Sequence, residues 1–316
     1  MSMPVNNIIR SATRTSADEL NILWMPHNGI LEHFLFQTMT HKFYVSHDIQ
    51  GLHWDTTMFP KSPNCFTLQQ HNMFSLDTDF DAIVCNNRTQ HIKQASIISS
   101  ALHIPLILVE HYMPTPVMKK EDIQLMKVNH EPHKSIAVHT EINKAWNTTS
   151  QVIPYGIPTI YNKNVEKEDQ LVIIGHFDKK DAVVLNEIIR HSKYKVVIVG
   201  DNPGVSSATT YQQTCEILQK SKFVLNMHPL VTPSMSMLLA MSAGCIPISN
   251  DNPFIKTKYS FNNKNEMLSL INKVEYSDTE SEEQRVFIKK NYCHGAFISQ
   301  WHKLFLSLND TVYTRI

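Results

Sequence analysis

A chain of 316 residues, 42% hydrophobic and 18% charged, is long enough for two domains that each bury a core. Its 29 basic residues balance 29 acidic ones, so no global field draws it to nucleic acid or a membrane surface. A polar start and short aliphatic runs argue against a signal peptide or membrane insertion, and five scattered cysteines without a CxxC pair argue against disulfides or a zinc finger; both suit a cytoplasmic protein.

Short apolar runs alternate with longer amphipathic stretches, the pattern of parallel sheets covered by helices. The first run, residues 22–25, leads into Pro26-His27-Asn28-Gly29-Ile30-Leu31-Glu32-His33, a sharp turn that opens a helix at a strand end. His27 and His33 there are able to donate or accept a proton near neutrality, and Glu32 to orient a histidine or face developing positive charge. Runs at 43–45 and 82–85 follow, then 106–110, which ends in the pair Glu110-His111. A carboxylate at the carboxyl end of a buried strand faces either a ligand or a helix N-terminus. Histidine is abundant, 17 in all with 12 before residue 161, so chance pairs are expected as well. His130 and His133 flank Pro132 in a loop where solvated side chains are favoured over a metal, and no metal site is expected. Strands at 136–138 and 151–154 close the first half, and the polar stretch 161–170 reads as a linker.

In the second half the runs are 171–174, 196–199, 223–226, 246–249 and 259–261. After the first comes Gly175-His176-Phe177-Asp178-Lys179-Lys180-Asp181, either a solvated turn or a place where Lys179 and Lys180 neutralise a diphosphate. After the second, Gly200-Asp201-Asn202-Pro203-Gly204 makes a tight turn, plain or edging a nucleotide base. The third feeds a polar loop with Thr232, Ser234 and Ser236, then a small-residue helix from Met235 that Gly244 ends. Free N–H groups and the helix dipole at such a start suit phosphate or carboxylate. The methionines of this helix read as core. GxGxxG, GxxxxGK[ST] and GxSxG motifs are absent. The last amphipathic stretch, 297–308, reads as a helix that packs on either domain.

Together these residues resemble the glycosyltransferases of the GT-B type, an α/β fold of two Rossmann-like domains facing across a cleft. Val152-Ile153-Pro154-Tyr155-Gly156-Ile157-Pro158 is similar to the V-I-P-N-G-V-D hinge of that superfamily. The 175–180 loop resembles its diphosphate clamp, and 238–247 resembles L-L-E-A-M-A-C-G-x-P. The resemblance implies an acceptor-side domain over 1–160, joined by the C-terminal helix at 297–316, and a donor domain over 161–296. It implies sugar transfer from a nucleotide-diphosphate sugar, UDP favoured, with retention of configuration and without a cofactor or obligatory metal. The donor would lie against His176, Lys179, Lys180, Asn202, Gly204, Thr232, Ser234, Met235 and Ser236. His27, Glu32, His33, Glu110 and His111 would line the acceptor side. The 110–114, 200–204 and 229–236 segments look like a subgroup of tailed phages and bacteria, some of which glycosylate hydroxymethylated cytosine in phage DNA. That makes hydroxymethylated duplex DNA the lead acceptor, with a surface glycan or protein as the alternative. One departure stands out: the family's two motif carboxylates fall at Leu239 and near Val231, which points alternatively to a protein that binds a nucleotide sugar without transferring it.

Overall fold

The computed structural model describes residues 19–25, 29–46, 59–68, 79–86, 88–114, 132–175, 177, 180–199, 210–255 and 257–313. These form two compact units, one of residues 19–46, 60–154 and 295–313, the other of Phe59 and 155–294.

Unit 1 is built on seven parallel strands: β1 (Asn21–Met25), β2 (Lys42–Ser46), β3 (Cys65–Leu68), β4 (Ala82–Cys85), β5 (Leu106–Glu110), β6 (Lys134–Ala137) and β7 (Gln151–Val152). They lie in the order β3-β2-β1-β4-β5-β6-β7. Ile22 sits beside Phe43 on one side and Ala82 on the other, and Ile83 beside Leu106. Every residue of β4 and β5 is buried, as expected of unbroken aliphatic runs covered on both faces. Strand β3 escapes the sequence reading because it is an edge strand of mixed polarity; its Phe66 is 42% exposed and stacks on Tyr44 at 5.2 Å. Strand β6 starts earlier than expected and β7 is cut to two residues ahead of Pro154.

Among the described residues three helices lie within this part of the chain: α1 (Ile30–Phe36), α2 (Arg88–Leu102) and α3 (Thr140–Trp146). The long helix α9 (His294–Tyr313) returns to unit 1 and closes its core. Its Trp301 lies 5.6 Å from Trp24, and its Phe305 packs on Phe43 at 6.2 Å and edge-on to His41 at 5.2 Å. Trp24 also meets Phe36 edge-on at 5.1 Å. A ring of this size buries about 150–250 Å², worth about 4–6 kcal/mol as an upper bound at 25 cal/mol per Å².

Unit 2 carries β8 (Glu168–Ile174), β9 (Lys195–Val199), β10 (Ser221–Leu225), β11 (Ile246–Asn250) and β12 (Tyr259–Phe261), all parallel, in the order β12-β11-β10-β8-β9. Helices α4 (Asp181–His191), α5 (Tyr211–Lys220), α6 (Met235–Ser242), α7 (Lys264–Ile271) and α8 (Asp278–Asn291) complete it. The linker expected over 161–170 is corrected at its end: Glu168, Asp169 and Gln170 extend β8. The reason is that Ser221 and Lys222 offer them a partner strand, Ser221 pairing with Glu168 and Lys222 bonding Asp169 at 2.6 Å.

Helix α6 is apolar nearly all round and is buried between the sheet, α5 and α8. It ends in a Schellman turn: the N–H of Cys245 donates to Ala240 at 3.0 Å and that of Gly244 to Met241 at 2.9 Å. Gly244 has φ 84°, and a Cβ on it would stand 2.5 Å from Ser281 Oγ and 2.7 Å from Arg285 Nη1. Glycine is therefore required twice over. Beside it, the ammonium of Lys167 donates to the carbonyls of Leu218 (3.2 Å), Ser221 (2.8 Å) and Ala243 (2.9 Å), so one side chain closes the carboxyl ends of α5 and α6.

Where the chain passes between units, Ile157 forms a parallel bridge with Cys293, its N–H donates to Tyr292 at 2.9 Å, and His294 Nδ1 contacts the Gly156 carbonyl at 3.4 Å.

Candidate functional site

In an open parallel sheet the loops at the carboxyl ends of neighbouring strands diverge where the strand order reverses, and that crevice is the natural ligand site. In unit 2 the reversal falls between β8 and β10, since the chain leaves β8 towards β9 and then returns to β10 on the other side. The loops that flank it are 175–180, which feeds α4, and 226–234, which feeds α6.

The second loop is tied down first. Asn226 is buried, its N–H donates to Ile248 at 3.0 Å, and its side-chain amide donates to the His228 carbonyl. His228 then reaches the first loop, its Nε2 lying 3.4 Å from Asp181 Oδ2. Asp181 opens α4, so a carboxylate already occupies that helix N-terminus. The start of α6 differs. Ser234 caps it by accepting from Met237 N–H at 3.3 Å, and Leu238 N–H bonds the Ser234 carbonyl at 2.9 Å. Among the described residues the N–H groups of Met235 and Ser236 have no hydrogen-bond partner. Thr232 Oγ1 is buried and likewise has none among them. Two amides at the start of α6 and one hydroxyl in the loop before it are thus left over as donors, groups of the kind that bond an oxyanion. Met235 itself is buried at 5% exposure, so its side chain belongs to the core and only its backbone is available. Lys180 is exposed directly before Asp181. His176, Lys179, Asn202 and Gly204 lie outside the described residues. Leu239 is buried in α6 and Val231 is 43% exposed, so neither position supplies a carboxylate.

Unit 1 reverses between β1 and β4. There the structure gathers Met25, Asn86 and the Glu110-His111 pair at the ends of three adjacent strands. Asn86 is fully buried; its Nδ2 lies 2.5 Å from the Met25 carbonyl and its Oδ1 3.1 Å from His111 Nε2. Glu110 and His111 are 2% and 1% exposed.

The residues on α1 also hold structure together. Glu32 accepts from Trp24 Nε1 at 3.1 Å and from the Gly29 N–H at 2.9 Å, so its carboxylate secures the helix start and the aromatic core. Gly29, at φ 79°, makes the turn that allows this. His33 contacts the Pro60 carbonyl through Nδ1 at 3.1 Å, and burial holds its pKa below the usual imidazole value despite that bond. His27 lies outside the described residues. Tyr112 is held by a bond from Trp146 Nε1 to its carbonyl at 2.6 Å, and its phenol is pushed up to about 12 by burial and then by the Glu32 charge. Asn86 and His228 are absent from the sequence reading. Each is a polar residue just beyond a buried run, and only the strand order reveals that both run ends border a reversal.

No protein-family profile matches the chain, and no curated protein sequence matches it. Solved structures do. Anabaena HepE in complex with UDP superposes at a TM-score of 0.62, 12% identity, over 92% of this chain and all (100%) of that one. Sucrose-phosphate synthase from Thermosynechococcus elongatus gives 0.65 at 10% identity over 92% and 100%. The pneumococcal O-GlcNAc transferase GtfA, in complex with UDP and GlcNAc, gives 0.52 at 14% identity over 72% and 56%. At such identities the likeness establishes the fold, an α/β pair of Rossmann-like units of the GT-B type. The chemistry has to be argued from the residues.

Proposed function

We propose that the chain is a glycosyltransferase that takes a sugar from a nucleotide-diphosphate donor, a UDP-sugar by preference, and passes it to a hydroxyl. One observation carries this reading. Among the described residues the amides of Met235 and Ser236 and the hydroxyl of Thr232 have no hydrogen-bond partner, and all three belong to the loop and helix start that follow β10 at the reversal of unit 2, in a fold shared with UDP-bound proteins. These donors, with Ser234 and Lys180, would hold the diphosphate. Lys179, His176, Asn202 and Gly204 would complete the donor site from the neighbouring loops.

The mechanism follows from where charge develops. As the glycosidic bond to phosphate breaks, negative charge collects on the leaving diphosphate, and fixed N–H dipoles plus a lysine stabilise it without reorganising. One missing donor of this kind costs about 10²–10³ in rate. With that charge met by α6 and the lysines, transfer needs no divalent cation, and front-face departure and attack would retain configuration. On the acceptor side His111 and Glu110, with His27, Glu32 and His33 as the wider lining, would position the nucleophilic hydroxyl.

The lead acceptor is hydroxymethylcytosine in duplex DNA. Residues 1–160 carry 11 basic and 13 acidic residues, a net of −2 without histidine, so DNA contact would rest on Lys119, Lys120, Lys127, Lys134 and Lys144 rather than on a general field. A surface glycan or protein is the alternative. Leu239, where the family places a carboxylate, favours a second reading, a protein that binds a nucleotide sugar without transferring it.

The test is a panel of sugar nucleotides offered with hydroxymethylated DNA, unmodified DNA and glycan acceptors, with and without EDTA, read by mass spectrometry of the products. Added hexose or pentose mass on any acceptor supports transfer, and on hydroxymethylcytosine alone the DNA reading. UDP binding without product leaves the binding reading, and the absence of UDP binding overturns both.

A further inference from the structure

The chain passes from unit 1 to unit 2 at 154–155 and returns at 294–295. On the first passage Ile153 is still bonded within unit 1, its N–H donating to the Ala137 carbonyl at 3.0 Å. From Gly156 onward the main chain is fastened to unit 2. The Gly156 carbonyl meets His294 Nδ1 at 3.4 Å, the Ile157 N–H donates to Tyr292 at 2.9 Å, and Ile157 bridges Cys293. The Pro158 carbonyl accepts from Ser242 Oγ at 3.0 Å, and the Ile160 carbonyl from Gln219 Nε2 at 2.6 Å. Residues 156–160 and 292–294 thus form one bonded ribbon, tied to the carboxyl ends of α5, α6 and α8. A rotation inside it would break several hydrogen bonds at once.

Gly295 is different. It is the second residue of α9 and the first on the return passage that belongs to unit 1. Gly244 is required by its φ and its neighbours, but a Cβ on Gly295 would meet nothing within 4 Å, and its φ lies outside the left-handed region. Sterics leave the position open to alanine, and glycine in a helix loses more freedom on folding than alanine does. A glycine that weakens its helix, and that no neighbour requires, therefore stands at the boundary between the units. We propose that Gly295 is the pivot of the return passage, the residue whose φ and ψ change when one unit turns on the other. Its counterpart on the first passage is 154–155, where the Pro154 ring fixes φ and leaves the change to ψ of Pro154 and to Tyr155. The ribbon moves with unit 2, so both passages turn as one hinge. Gly156, which the sequence places in a hinge-like segment, lies inside the ribbon and is not the turning point. The pivot does not depend on the chemistry proposed above.

The experiment has two arms, both on the full chain. Amide hydrogen exchange should show Ile157 protected, and Ser242→Ala should speed exchange over 156–160 about tenfold. For the pivot, Ile97→Cys in unit 1 and Val183→Cys in unit 2, both exposed positions, carry a pair of fluorophores. Cys293→Ser removes the exposed native thiol, and single-molecule energy transfer follows the separation of the labels. Gly295→Ala should raise the thermal midpoint by about 1–3 °C. It should also slow interconversion between separations roughly threefold or more. An Ile157 amide that exchanges like an unfolded peptide overturns the ribbon. A parent held at one separation, or a Gly295→Ala variant that interconverts as fast as the parent or melts below it, overturns the pivot.

Discussion

His228 joins the two loops of the unit 2 reversal by meeting Asp181 at 3.4 Å. The contact holds a carboxylate against a histidine at the edge of the crevice proposed for a diphosphate. His228→Ala removes the ring that lies 3.4 Å from the Asp181 carboxylate and should weaken UDP binding by about 1 kcal/mol, roughly fivefold. Adding Asp181→Asn should recover the loss. Calorimetric titration with UDP measures both, and equal affinity in parent and His228→Ala would place the ligand elsewhere.

Lys167 is a stability residue. Its ammonium is largely withdrawn from water, which holds its pKa below the usual lysine value, yet its three bonds close two helix ends. Lys167→Met keeps the volume and leaves those carbonyls without their cation, a cost of about 1.5–3 kcal/mol. Urea unfolding should show the drop, with UDP affinity unchanged in the folded protein.

Gly244→Ala combines a left-handed backbone with a collision, for about 2–3 kcal/mol. Pairing it with Ser281→Ala removes the nearer obstacle and should return part of that stability. Thermal unfolding of both variants decides it; a single variant as stable as the parent would show that α8 yields freely.

Acid should loosen the fold before carboxylates titrate. Burial lowers the pKa of His33, His139 and His294 below 6.5. Below 6.5 the unfolded chain binds protons that the folded one refuses, so stability present above that pH is lost as pH falls through the folded values. His139 shows why: Nδ1 accepts the Glu141 N–H at 3.2 Å and caps α3, and protonation removes that acceptor. The urea midpoint should fall between about pH 7.5 and 5.5, and His139→Asn, a pH-independent cap, should flatten the slope. A midpoint that holds or rises over this range would contradict the assignment.

The central strands were legible because apolar runs such as 82–85 and 106–109 are buried on both faces and have nothing polar to interrupt them. So was the start of α6, whose serines and apolar run declare a capped buried helix. What escaped depends on partners far away along the chain. Lys167 reads as a linker charge, yet it bonds carbonyls 51 and 76 residues on. Asn86 reads as the first residue of a loop, and its two partners are 61 and 25 residues distant. Glu32 reads as a site residue, and composition does not reveal that the Trp24 indole also bonds it. Pattern exposes burial; it does not expose which backbone group a buried polar atom will meet.

Helix α9 belongs to the same core as β1 although nearly the whole sequence separates them. During synthesis, Trp24 and Phe43 must wait for Trp301 and Phe305 to leave the ribosome, while 155–294, uninterrupted in sequence, has everything its own sheet requires. The later-made half can therefore finish first, and the unit begun at the amino end is sealed last, by the chain's final long helix.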